Sequence, residues 1–429
     1  MDIKFGTDGW RGLIADDFTF ENVSRCAQGL ADYLSSTGNT DGEILVGYDT
    51  RFLSINFAET VSKVLAGNGI KVSLAIEPAP TPVISFNTLK KNATAAVIIT
   101  ASHNPFAWNG LKLKMAYGGS PDEPTIFALE KHISEIRSVK TAPLSSHLIN
   151  SFDPRTSYLE HINKFLDLSP IRTSPLNIIC DTMFGAGSGY LPSIVNGSIA
   201  SVSEIRNTLN PVFPDMLQPE PILENLRQLS TMVIKQNADI GIAFDGDADR
   251  LGIIDEKGEY ISTLHVYALL ALYLLEVRNL KGPIIKSITS SDMLFRLSEL
   301  YNVPIYETKI GFKHIGPLMI EKNALIGGEE SGGYGYKGHI PERDGILSSL
   351  LFLDLMIRLE MSPSELIKYL HDKVGEHYYI RKDINIDSPT KYSSARNLIS
   401  NGNINNIGNL KVLSSNRIDG LKLNLKAGW

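Results

Sequence analysis

The sequence predicts an α/β protein made of three successive α/β units with mainly parallel, mixed sheets, followed by a smaller α+β unit. Three observations lead there. Strand-like apolar runs alternate with helix-like runs along most of the chain. In each of the three units a polar loop follows directly on an apolar strand. From about residue 370 the texture changes to shorter, polar segments.

In the first unit "EILVGYD" (43–49) reads as a strand and "SINFAETVSKVLAGNG" (54–69) as a helix that ends in glycine. "KVSLAI" (71–76) and "TAAVIIT" (94–100) follow as strands. After "YGGSPDEP" (117–124) a polar helix and a Pro/Ser-rich stretch at 141–157 mark the first boundary. The pattern restarts with "PLNIICD" (175–181), runs through "ADIGIAFDGDADRLGIID" (238–255) and pauses at "EKGEY". A third unit begins near 260 with "VYALLALYLLEV" (266–277), then "PIIKSI" (283–288), "VPIYETKIG" (303–311) and "ALIGGEESGGYG" (324–335), and is closed by the helix "GILSSLLFLDLMIRLE" (345–360). "YYIRKDINI", a Ser/Asn/Gly-rich stretch and "GLKLNLKAGW" form the last piece. The expected domains are 1–150, 151–257, 258–370 and 371–429.

A chain of 429 residues with 43% hydrophobic and 21% charged residues has ample material for a soluble core. Its net charge of −6 argues against a general nucleic-acid binder, though not against an anionic substrate that a few local cations would hold. Cys26 and Cys180 are the only cysteines, which makes neither a disulfide framework nor a zinc site and suggests a reducing cytosol. The most apolar helix-like run is far shorter than the roughly 20 residues of a membrane span. "MDIKFGTDGW" lacks the pattern of a signal peptide. A cytoplasmic protein with no nucleic-acid or membrane partner is expected.

The first polar loop is "TASHNP" (100–105), placed where the buried run "TAAVII" ends. Pro105 disfavours helix at Asn104, so the chain should turn there, where α/β proteins hold their chemistry. The second loop is "DGDADR" (245–250). In an extended segment Asp245, Asp247 and Asp249 would project together, with Gly246 and Ala248 keeping the space between them clear. Carboxylates so close repel one another unless a cation lies among them, and all-oxygen ligands favour Mg²⁺ or Ca²⁺. Asp at positions 1, 3 and 5 with Glu256 at 12 imitates an EF-hand loop, but Arg250 stands where that loop needs glycine and the flanks read as strands. A solvated acidic turn is the plain alternative. The third loop, "GGEESGGYG" (327–335), offers Glu329, Glu330 and Ser331 among glycines that let a ligand approach. Alone, it could equally be a glycine-rich turn.

Taken together, the three loops resemble those of the α-D-phosphohexomutase superfamily, the phosphoglucomutases and phosphomannomutases: phosphoserine loop, metal loop and sugar loop, in that order. "FGTDGWRG" (5–12), "NGLKLK" (109–114), "KIGFKHI" (309–315) and "HIPERDG" (339–345) resemble further segments of the same family. The resemblance implies that Ser102 bears a transferable phosphoryl group. It also implies one Mg²⁺ per chain, held by Asp245, Asp247, Asp249 and an oxygen of phosphorylated Ser102. Arg11 and Lys112 resemble the family's cations near the phosphoserine, and Arg250 would lie close to the same phosphate. The plain alternatives are a solvated N-terminal turn for Arg11 and surface charges for the other two. His103 would either move a proton to or from the sugar hydroxyl or orient Ser102, with Lys112 as a competing acid or base. Glu329 and Ser331 match residues that grip sugar hydroxyls. Gly311, Phe312 and Lys313 in "GFKHI", and Arg343 in "HIPERDG", match segments that choose the sugar and its phosphate.

The implied activity is interconversion of hexose 1-phosphate and hexose 6-phosphate, primed by a hexose 1,6-bisphosphate, in a monomer or homodimer. "GEES", with Glu330 at its variable position, and the aromatic-Lys pair of "GFK" point to glucose. A dual glucose/mannose enzyme is the alternative, and a phosphoglucosamine mutase fits the same loops less well. The family's Arg-x-Ser-Gly-Thr-Glu-Pro loop, which binds phosphate in the last domain, does not occur in these residues. The last unit is therefore read as partial, weak isomerisation is expected, and a non-catalytic phosphosugar-binding protein or a plain Mg²⁺ phosphatase stand as rivals.

Overall fold

The computed structural model describes all residues except Met1, Asp2, Thr7, Ser198, Asp383, Asn385, Asp387, Ala427 and Trp429. Thr7 of "FGTDGWRG", Asp383 and Asn385 of "YYIRKDINI", and Ala427 and Trp429 of the final stretch thus lie outside the described residues. Among the described residues the alternating pattern produces three mixed sheets and one small antiparallel sheet.

The first sheet has six strands in the spatial order Trp10–Leu13, Trp108–Met115, Ala95–Ile99, Glu43–Tyr48, Lys71–Ala75, Ile149–Phe152. Ala95–Ile99 is buried at every residue, as a central strand covered on both faces must be, and pairs in parallel with Glu43–Tyr48 and antiparallel with Trp108–Met115. Its last edge strand corrects the expected boundary at 150. Ile149–Phe152 pairs in parallel with Val72–Ala75, so the Pro/Ser-rich stretch holds a strand of the first sheet. Apolar Ile149 and Phe152 at the strand's two ends let so polar a stretch dock on an open edge.

The second sheet runs Tyr260–Ile261, Leu251–Ile254, Ile240–Phe244, Asn177–Asp181, Ser201–Ile205, and the third runs Ile305–Thr308, Ile284–Ser287, Ile326–Gly328, Tyr334–Tyr336. The apolar run expected at 266–277 is a helix from Thr263 to Leu272 that widens into a π turn over Tyr273–Val277. Asp344 starts the helix Gly345–Leu359 by accepting the Leu347 N–H at 2.8 Å. That helix does more than close the third unit. It packs against the second sheet, and the Gly345 N–H donates to the Ala248 carbonyl at 3.1 Å. A Cβ on Gly345 would lie 2.5 Å from the Arg250 carbonyl oxygen, so only glycine lets the helix start against the acidic loop. One hydrophobic cluster extends from Ile3 to Val374 and joins all three units.

The last unit is a helix, Pro389–Asn401, and a three-stranded sheet of Asn406–Ile407, Leu410–Asn416 and Lys422–Leu425. Among the described residues no helix is long and apolar enough to cross a membrane.

Candidate active site

The first two loops meet. Ser102 follows the strand Ala95–Ile99 and takes a left-handed backbone, φ +51°, which is uncommon for a side chain other than glycine. Its N–H donates to Thr100 Oγ1 at 2.8 Å, and its own Oγ donates to Asp245 Oδ2 at 2.8 Å. His103 Nδ1 lies 3.3 Å from the same Oγ. Gly246 makes this approach possible, because a Cβ there would stand 2.5 Å from the Ser102 carbonyl oxygen.

The acidic loop is not extended. The Ala248 N–H donates to the Asp245 carbonyl at 3.0 Å and Ala248 takes φ +54°, while Asp245 Oδ1 accepts the N–H groups of Asp249 and Arg250 at 3.0 and 3.1 Å. Asp245 thus folds the segment into a turn around its own carboxylate, and the turn, instead of strand alternation, brings the carboxylates together. The spacer role expected for Gly246 is likewise replaced by its contact with the Ser102 backbone.

One carboxylate oxygen from each of Asp245, Asp247 and Asp249 lies within 4.8 Å of the other two. All three side chains are fully buried. Burial first, then the charges of Asp249 and Asp247, push the Asp245 carboxyl well above its ordinary range. Burial also opposes ionisation of Asp247, but Lys112 and the Thr81 hydroxyl outweigh it and hold that group below its ordinary value. Oδ1 of Asp247 and Oδ1 of Asp249 are buried with no hydrogen-bond partner among the described residues. Hard, crowded, partly unpartnered carboxylates fit a small divalent cation such as Mg²⁺.

Cations surround this cluster. Lys112 Nζ lies 2.7 Å from Asp8, 2.8 Å from Asp247 and 3.0 Å from Asp249. Burial works against its charge, but the carboxylates led by Asp247 win and raise it above its ordinary value. Arg250 pairs with Glu220 at 2.7 Å and reaches His103 Nε2 at 3.5 Å. Arg11 stands one residue further out, on Asn104 Oδ1 at 2.5 Å. Burial first, then Arg250 and Arg11, keep His103 well below the usual imidazole range, so the ring is neutral.

The third loop closes on the same cluster. Glu329 Oε1 accepts the Gly311 N–H at 2.8 Å, and burial raises its carboxyl above the ordinary range. Arg343 Nη2 sits 2.5 Å from Asp8 and 2.9 Å from Asp249, and Nη1 is 3.8 Å from Glu329. Its guanidinium packs 5.7 Å from the Phe312 ring. The structure therefore gathers Ser102, His103, the three aspartates, Lys112, Arg250, Glu329, Gly311, Phe312 and Arg343. Ser331 is half-buried at the tip of its turn, while Lys313 pairs with Glu123 at 3.5 Å.

Sequence reasoning missed several residues. Thr81 donates to Asp247 Oδ2 at 2.5 Å. Asp8 binds Lys112, Lys114 and Arg343, and Lys114 also donates to Glu342 at 2.5 Å. Arg51 lies buried beneath the serine loop. The available signal was a charged pair, Asp49 and Arg51, directly after the buried strand Glu43–Tyr48.

Comparison with known proteins gives three matches in chain order: "Phosphoglucomutase/phosphomannomutase, alpha/beta/alpha domain I" over residues 2–140, its domain II over 156–258 and its domain III over 264–374. A phosphoglucosamine mutase of Campylobacter lari is 30% identical over 431 residues, covering 92% of this chain and 93% of its own. A phosphoglucomutase of Staphylococcus haemolyticus is 31% identical over 405 residues, 88% of this chain and 73% of its own. A crystal structure from Thermus thermophilus, named for phosphomannomutase, superposes with a TM-score of 0.87 at 32% identity, covering 99% of this chain and 92% of that one.

Proposed function

The chain belongs to the phosphoglucomutase/phosphomannomutase family, which makes it a phosphohexomutase, and on that premise we propose that it isomerises hexose 1- and 6-phosphates by carrying the phosphoryl group on Ser102, with glucose as the favoured sugar. It is an intramolecular phosphotransferase; the carrier, the metal and the sugar are this reading. The observation that supports it most is the Ser102 hydroxyl, bonded to Asp245 in a pocket of cations beside a neutral imidazole.

In one half-reaction the bond between phosphorus and Ser102 Oγ breaks and a bond to the sugar hydroxyl oxygen forms. The hydroxyl proton passes to His103, whose Nδ1 lies 3.3 Å from the carrier oxygen. His103 returns that proton to the released Ser102 Oγ, and the hydroxyl so formed hydrogen-bonds to Asp245. The hexose 1,6-bisphosphate then turns, and the reverse transfer from its other phosphate restores phosphorylated Ser102. Lys112 is held charged by three carboxylates and contributes electrostatics rather than proton transfer. Asp245, Asp247, Asp249 and a phosphoryl oxygen on Ser102 would hold Mg²⁺, whose charge offsets that of the transferring group. Glu329 and Ser331 would hold sugar hydroxyls.

The test is a panel of glucose, mannose and glucosamine 1-phosphates with Mg²⁺ and glucose 1,6-bisphosphate. Glucose 1-phosphate should be isomerised fastest. Comparable rates on mannose 1-phosphate would establish dual specificity, and net phosphate release without isomerisation would overturn the mutase reading in favour of a phosphatase.

A further inference from the structure

The segment from Ser102 to Trp108 has few backbone partners of its own. The Asn104 N–H donates to the Ala101 carbonyl and the Trp108 N–H to the Pro105 carbonyl, both at 3.0 Å. Buried carbonyls must find donors, and four of them in this segment find the same side chain. Arg51 Nη2 donates to the carbonyls of Ser102 and Asn104 at 2.6 Å each. Arg51 Nη1 donates to those of Pro105 and Trp108 at 3.0 and 3.1 Å.

The guanidinium is itself fixed from two sides. Its Nε forms an ion pair with Asp49 Oδ2 at 3.2 Å, and neither atom has a hydrogen-bond partner among the described residues. Asp49 is held in turn by the Ser54 hydroxyl at 2.7 Å and the Arg51 N–H at 2.9 Å. On the other side the guanidinium carbon stands 5.0 Å from the centre of the buried Phe213 ring, which belongs to the second unit. The neighbouring Thr50 hydroxyl donates to the Phe184 carbonyl of that unit at 2.8 Å.

We propose that Arg51 is a positioning residue for phosphoryl transfer: it clamps the left-handed serine loop by its carbonyls and thereby aims Ser102 Oγ. This rests on Ser102 being the phosphoryl carrier. Arginine suits the task because its planar fork presents five donors in fixed directions and its charge meets four carbonyl dipoles at once. A lysine ammonium supplies three donors from a single point and cannot span the same set. Arg51 has no part in the bond changes and acts only through the backbone that carries Ser102. A reacting atom misplaced by about 1 Å loses on the order of a hundredfold in rate, so the effect belongs in kcat.

Two variants test this. Arg51→Lys keeps the buried charge, and the double variant Asp49→Asn/Arg51→Gln removes the ion pair as a unit, leaving no buried charge unpaired. For each, one measures Tm, the rate of Ser102 phosphorylation by glucose 1,6-bisphosphate (mass spectrometry), kcat, KM, and the ³¹P resonance of phosphorylated Ser102. The folded variants should lose about a hundredfold in phosphorylation rate and in kcat, keep KM within about threefold, and show a displaced ³¹P signal. A residue serving stability alone would lower Tm while the folded fraction reacted at the wild-type rate. Wild-type kcat and ³¹P position in either folded variant would overturn the proposal, as would failure of both to fold. A wild-type protein that takes no phosphate on Ser102 would instead bring down the carrier assignment, and this inference with it.

Discussion

The loops that meet at Ser102 and the unit spanning residues 389–425 are built in opposite ways. Ser102, Lys112, Asp245, Asp247 and Asp249 are each at most 1% exposed, whereas the helix Pro389–Asn401 buries none of its residues. The first region is fixed by several carbonyl and carboxylate clamps at once. The second touches the third unit through a few polar contacts: Asn416 and Lys422 on Glu307, both at 3.0 Å, and Asp419 accepting the Ile310 N–H at 2.9 Å. The difference teaches where ordering cost is met. Groups that stabilise charge during transfer gain most from being rigid before substrate arrives. The second region is docked by contacts that break cheaply, so it can open at little cost.

The largest effect that would break this comparison is at the rigid end. Ser102→Ala removes one hydroxyl and its bond to Asp245, so the fold should persist while isomerisation falls by at least three orders of magnitude. No phosphate should then appear on the 100–105 peptide by mass spectrometry. Turnover retained at the wild-type level would end the assignment. Next in size is Asp247→Asn. It removes one charge from the cluster and the principal partner of Lys112, and should cost on the order of a hundredfold in kcat with weaker Mg²⁺ binding in calorimetry. Unchanged Mg²⁺ affinity would take Asp247 out of the metal site.

A smaller effect is expected at the loosely held end. Glu307 bridges Lys286 at 2.7 Å and Lys422 at 3.0 Å, so Glu307→Gln loosens the junction between the third and last units. Because this junction is partly solvated, KM should rise by only about three- to tenfold, with kcat nearly constant. Hydrogen exchange should find the amides of Leu410–Asn416 exchanging much faster than those of Ala95–Ile99. Equal protection of the two strands would erase the contrast.

The same contrast explains how much could be read from sequence. The strands, the helices and the loops bearing Ser102 and the aspartates were legible, because alternating apolar runs and abrupt polar turns are local patterns. The clamps were not. Lys114 meets Glu342 across 228 positions of the chain, and Asp8 meets Arg343 across 335, so no local spacing announces them. The left-handed backbones of Ser102 and Ala248 were hidden for a different reason: neither residue is glycine, and the surroundings impose the conformation. Arg343 was read as a cation for substrate, whereas the fold gives its guanidinium four carboxylates, from Asp8, Asp249, Glu329 and Glu342.

The smallest effect tests how the rigid half is joined together. His161 Nε2 lies 2.9 Å from His339 Nδ1, and His339 Nε2 lies 2.8 Å from Asp344, the residue that caps the helix Gly345–Leu359. Phe86 of the first unit stacks on His161 at 4.5 Å, so this chain of rings ties the first unit to the third. Burial, followed by the neighbouring His339, lowers His161 to about 4. An unfolded histidine titrates near 6.5. Between these values the unfolded chain binds a proton that the folded chain does not, so stability is complete above about pH 6.5 and falls as the pH drops toward 4. His265 is lowered to about 4 for the same leading reason and adds its own loss over that window. His161→Gln keeps a polar group against His339 but cannot titrate, leaving His265 and the other histidines lowered by burial, His103 and His314, to respond. The fall in Tm between pH 7 and pH 5 should therefore be smaller in this variant than in the wild type. Since His161 is only half buried and the chain is long, the difference should be about 1–3 °C by calorimetry. A fall of equal size in both proteins would show that protons reach His161 in the folded state at no cost, and that the ring stack between the first and third units is not a closed junction.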